Sequence, residues 1–178
     1  MGVKGISGRV TQELHSGKSR EEIFQLLSGE MPGQQDRIAY TIASVPNEVL
    51  RKRYLYLNIL LFLLLIGAGA LALMSSFPSE DEGLSFFLLV TTIVPLVIAY
   101  FVLRFYGGIY KVCAVWFLVD LAETFFFTGF ADNVSLIKLF FSFLIVLISF
   151  FIAHRVFPQL GFLGPNKKID GTYMLGED

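Results

Sequence analysis

The stretch Val112–Phe130 reads VCAVWFLVDLAETFFFTGF, an apolar run that carries two carboxylates, Asp120 and Glu123. Three residues apart, they share one face if the run is helical. A charge near the centre of a bilayer costs about 2.5–3.5 kcal/mol on insertion scales, so such groups turn toward a bundle interior, an aqueous cavity or a partner. Trp116, Asp120, Glu123, Thr124, Phe127 and Thr128 recur at three- and four-residue steps, which makes the polar groups a stripe. Two kinds of use suit this stripe: a proton or cation relay, or hydrogen bonds that tie helices together.

A second stripe lies in the run that follows. Ser135, Lys138, Ser142, Ile145, Ser149 and Ile152 alternate by three and four residues, as in a helix-packing seam. Measured from the intervening turn, Lys138 lies about 6 Å deep and Glu123 about 10 Å deep at the helical rise. An ion pair between them is therefore expected. Asp120 sits about 15 Å deep, level with Pro95 and the pair Thr91 and Thr92 of an earlier run. No basic residue shares that depth, so Asp120 is expected to be protonated or solvated. Asp120, Glu123, Lys138, Thr91, Thr92 and Thr124 form the candidate ion or proton pathway.

Other chemistry finds little support. Cys113 and His154 fall near the same ends of adjacent runs, but a nucleophilic dyad needs an orienting third group and no carboxylate stands at that depth. The D-x-x-E spacing has no second acidic motif beside it, so no metal pair is expected. SGKS at Ser16 lacks the strand and the earlier glycine of a phosphate-binding loop. No catalytic residue, metal or cofactor is assigned.

The elements that would position these residues are read from composition. Of 178 residues, 54% are hydrophobic, 16% are charged and 19 are phenylalanine, and mean hydropathy is +0.65. These values fit an all-α integral membrane four-helix bundle, with the lipid bilayer as its surroundings. Spans are expected over about 54–77, 84–105, 112–130 and 134–157, the first about 36 Å long. Gly67, Ala68, Gly69 and Ala72 form a small-residue patch where a neighbouring helix can come close, and Pro95 should kink its span. With four spans, Arg51, Lys52, Arg53, Arg104, Lys111, Arg155, Lys167 and Lys168 fall on one side and Glu80, Asp81, Glu82 and Asp132 on the other. That asymmetry places both termini in the cytoplasm of a cell in whose inner or plasma membrane the chain is multi-pass.

Residues 1–46 read as a small cytoplasmic helical segment. Helices are expected from Ser7 to about Ser16, from a cap at Ser19 with Glu22 completing a capping box, and from Gln35 to Ser44. Residues 1–50 hold five basic and six acidic side chains. With net charge −1 there and −1 for the whole chain, the counterion-release term of nucleic-acid binding is missing. So small a core is marginal alone, so the segment should pack on the bundle or on a partner protein. The bundle is taken as 47–157 and the cytoplasmic tail as 158–178, expected to be flexible or interfacial. The functional expectation is a non-enzymatic assembly or accessory subunit, or a homo-oligomer, with a proton or cation channel or transporter as the alternative.

Overall fold

The structure, a computed structural model, describes residues 3–75, 84–128, 133–162, 164–168 and 170–175. The expected loop at 78–83 and the turn at 131–132, with their acidic residues, lie outside them, as do the side chains of Phe127 and Thr128. The chain is all-helical: α1 (Val3–His15), α2 (Arg20–Glu30), α3 (Gln35–Ser44), α4 (Glu48–Arg53), α5 (Leu55–Ser75), α6 (Leu84–Leu103), α7 (Gly107–Glu123), a π-helical turn (Thr124–Thr128) and α8 (Asn133–Val156).

The first three helices form a small head. α1 starts a turn earlier than expected because Ile6 prolongs the Val10–Leu14 line, and Ile6 and Val10 are buried. Gly17, at φ +85°, takes the left-handed conformation that turns the chain away. The capping box of α2 is formed in both directions, Glu22 N–H to Ser19 Oγ at 3.2 Å and Ser19 N–H to Glu22 Oε2 at 2.9 Å. Ile23 and Leu27 then meet Ile38 and Ile42 of α3 in the core. Asn47 caps α4 through a bond from Val49 N–H. α4 and α5 are separated at Tyr54, whose φ and ψ are −100° and 10°.

The tail is docked, which corrects the expectation of a flexible or interfacial segment. Leu160 and Leu175 are buried, and the Tyr173 ring meets Phe24 edge-on at 5.1 Å. A turn at Asp170–Gly171 brings Lys168 N–H to the Thr172 carbonyl and Met174 N–H to that of Asn166. Sequence alone undervalued this turn because two paired segments are marginal by themselves, whereas here α2 and α3 supply the missing surface. The lock is ionic: the Asp36 carboxylate accepts from Tyr173 Oη at 2.7 Å and from Lys167 Nζ at 3.0 Å. Those two donors, Tyr173 first, hold Asp36 below the ordinary carboxylate pKa. A depressed pKa contributes stability above the ordinary carboxylate value that is lost as pH falls through the lowered one. Acid should therefore release the tail, and Asp36→Asn should release it at neutral pH. The check is amide exchange at Met174, corrected for its intrinsic pH dependence; unchanged protection in Asp36→Asn would show that the apolar contacts alone hold the tail.

The remaining helices pair as two antiparallel hairpins, α5 with α6 and α7 with α8, and α5 also packs on α8. α6 and α7 touch little. Among the described residues two helices are long and apolar enough to cross a membrane: Leu55–Met74 with mean hydropathy 2.5 and Asn133–Val156 with 2.6. α6, 20 residues long, runs unbroken through Pro95. The small-residue patch serves packing inside the chain. A Cβ on Gly67 would stand 2.7 Å from Phe141 Cε1 of α8, and one on Gly69 would stand 3.4 Å from Leu96 of α6. Each glycine thus lets one neighbour approach α5.

Candidate functional site

The inward line of α7 is Tyr110, Cys113, Phe117, Asp120 and Thr124, all buried except the half-buried Asp120. It faces the seam of α8, where Ser135, Ser142, Ile145, Ser149 and Ile152 are buried as their spacing predicts. Two bonds fix the register. Ser142 Oγ donates to Asp120 Oδ2 at 2.6 Å, and Ser149 Oγ donates to Cys113 Sγ at 3.3 Å. Continued along the pair, that register sets Lys138 opposite Thr124, where the π-helical turn begins. Such turns widen a helix by one residue and are frequent at functional sites.

Between α6 and α7 lies a groove of about 740 Å³, floored by α5 and α8. Asp120, Glu123, Lys138, Thr91 and Thr124 all line it, as do Ala68, Ala72 and Pro95. Five of the six candidate pathway residues are thus brought together. Thr92 is not among the lining residues; it lies on the α5 side of α6, where its carbonyl approaches Gly69. The volume falls in the range of small-molecule pockets, and the wall is mostly aliphatic and aromatic with a few polar groups at one end.

The expected Glu123–Lys138 ion pair is not formed: the ion pairs among the described residues are Arg9–Glu30, His15–Glu48, Lys18–Glu13 and Lys167–Asp36. The depth argument located the right level of the bundle, but each residue turns a helix by about 100°. Thr124 takes the inward position, which leaves Glu123 exposed at the margin of the groove. His15, at the end of α1, reaches Glu48 of α4 at 3.3 Å. Cys113 is engaged by Ser149 and His154 is exposed, so the two do not form a dyad. Among the described residues no three metal-ligating side chains cluster.

Sequence reasoning passed over two groups that the structure makes central. Asn58, 1% exposed, donates from Nδ2 to the Val102 carbonyl at 2.8 Å and accepts from Tyr110 Oη at 2.6 Å. One amide thus joins α5, the C-terminal turn of α6 and the first turn of α7, adding a side-chain donor to a helix-end carbonyl that already accepts from Phe105 N–H. The available signal was that Asn58 is the lone amide inside an apolar run, where polar side chains usually serve as interhelical ties. Arg20 is the other. Its guanidinium donates to the carbonyls of Ile42 and Val45 at 3.2 and 2.9 Å and to Gln159 Oε1 at 3.1 Å, closing the end of α3 and joining the head to the tail. Nothing in its local sequence marks that role.

What fold and groove together define is an all-helical protein with, among the described residues, two helices able to span a bilayer and a laterally open, partly acidic groove. Comparison with models of known protein families, with curated protein sequences and with solved structures gave no match.

Proposed function

We propose that the chain is a four-span helical membrane protein with both termini cytoplasmic, and that it acts as an assembly or accessory subunit rather than an enzyme. The observation that carries this reading is the open seam: α6 and α7 stand apart along the groove while the other neighbours close. A transmembrane helix of another subunit, or of a second copy, would complete the ring. It would meet Asp120, an acid with acceptor capacity beyond the Ser142 bond, and Lys138 on the same wall. The bilayer setting is supported by exposure. Only 28% and 39% of the apolar windows of α5 and α8 are buried, whereas the core helix of a soluble protein buries most of its surface. In water each exposed large aliphatic side chain would forgo about 1.5–3 kcal/mol. The head, with the tail docked on it, offers the partner a cytoplasmic surface.

A second reading has its own observation. Asp120, Glu123, Lys138, Thr91 and Thr124 line one cavity, as a proton or cation pathway would require. One experiment separates the two. A photo-crosslinking residue is placed at Val119, an exposed residue of the groove wall, or at Leu147, an exposed residue of α8 away from it. The assembly reading expects a stoichiometric adduct from Val119, to a second copy or a co-purifying subunit, and none from Leu147. A monomer without adducts, whose proton flux in liposomes disappears in Asp120→Asn, would hand the groove to transport.

A further inference from the structure

A second cavity, of about 700 Å³, lies where the head meets the membrane-proximal ends of the helices. Its walls come from α1, the α3–α4 link, α4, the α6–α7 turn and the end of α8. Its charge is lopsided: Lys18, Arg20, Arg51 and Arg104 line it, with His15, against the single carboxylate Glu48. Several of these groups are already engaged. Lys18 pairs with Glu13 at 2.7 Å, Glu48 with His15, and Arg20 with the α3 carbonyls and Gln159.

Arg51 and Arg104 are different. Among the described residues neither meets a carboxylate; each lies over an aromatic ring, Arg51 over Phe105 at 5.5 Å and Arg104 over Tyr100 at 4.6 Å. With no carboxylate among the described residues taking up their N–H donors, both guanidinium forks keep donor capacity for an anion, and arginine grips phosphate oxygens in pairs. The ring beneath Arg51 is itself held at a cost. Phe105 sits at φ +55° in the turn that closes α6, a left-handed position glycine usually takes and where a side chain is strained. Its N–H bonds the Val102 carbonyl and Tyr106 N–H bonds that of Phe101, so the turn is fully formed around it.

We propose that this cavity is a binding site for a phosphate headgroup, held by Arg51 and Arg104. Its position at the cytoplasmic ends of the spans points to an anionic phospholipid as one source and a soluble phosphate ester as the other. The lipid source rests on the membrane reading above, whereas the phosphate site does not.

The test is native mass spectrometry of the full chain in neutral detergent, titrated with dioctanoyl phosphatidylglycerol, dioctanoyl phosphatidylcholine or glycerol 3-phosphate. Wild type should bind one phosphatidylglycerol saturably and in preference to phosphatidylcholine. Arg51→Gln and Arg104→Gln should each weaken it about fivefold, the factor that ~1 kcal/mol per basic residue represents. Arg53→Gln, which removes the same charge from the same helix outside the cavity, should not. Arg51→Lys and Arg104→Lys keep the charge and lose the fork, so an intermediate weakening in folded protein supports paired recognition. Glycerol 3-phosphate binding with the same arginine dependence and without a lipid preference assigns the site to a soluble ester, and leaves it standing if the chain fails to float with liposomes. Equal binding of the two lipids with no glycerol 3-phosphate binding, or an Arg53→Gln loss as large as that of Arg51→Gln, overturns the proposal.

Discussion

Asn58→Leu is expected to destabilise the purified protein by about 1–3 kcal/mol, the range for leaving buried polar groups unpaired. Leucine is close in size, so the loss reports on hydrogen bonds rather than on a cavity. The substitution removes the acceptor of the 2.6 Å Tyr110 Oη bond, leaving that hydroxyl its longer 3.4 Å contact to the Val102 carbonyl, and takes the amide donor away from the same carbonyl at the end of α6. Tyr110→Phe strands the Asn58 carbonyl oxygen in turn and should cost a comparable amount. The diagnostic is the double variant. With both partners apolar, less is left unpaired, so Asn58→Leu with Tyr110→Phe should be markedly less destabilised than the sum of the two singles. Thermal unfolding in one detergent, followed by circular dichroism, gives all three values. Simple additivity would mean that the two side chains act independently despite their 2.6 Å contact.

Arg20→Met should have the largest effect on the head. Methionine keeps much of the aliphatic stem and removes the guanidinium, which carries three charge-assisted bonds. Such bonds are worth about 1.5–3 kcal/mol each at most, and the site is only part-buried, so a net loss of about 2–3 kcal/mol is expected. The loss should be local. Amide exchange should rise through α2, α3 and the tail around Gln159, while α5 and α8 keep their protection, because Arg20 bonds the end of α3 and Gln159. Arg20→Lys should recover part of the effect, since one ammonium reaches fewer of the three acceptors. Exchange that rises equally in α8 would show that head and bundle unfold as one unit.

Much of the local structure was readable along the chain because its signals are short-range. Ser19 with Glu22 and the three-four spacing of the α8 seam each depend on residues within one or two turns. Of the site, the depth of the acids and the company of Thr91 and Pro95 were legible, because helical rise converts residue number into height. Facing was less so. Whether Glu123 or Thr124 turns inward depends on the rotation of α7 about its axis, and that is set by Ser142 and Ser149 on another helix.

By itself the sequence determined which segments are helices, how apolar each is, where the head ends and which residues share a height. Tertiary structure alone decided that α6 and α7 stand apart to leave a groove, that Ser142 meets Asp120, that Asn58 closes α6, and that the tail folds back onto Asp36. The reason is physical: height along a helix follows from residue number, whereas rotation and separation follow from how side chains distant in sequence pack against one another.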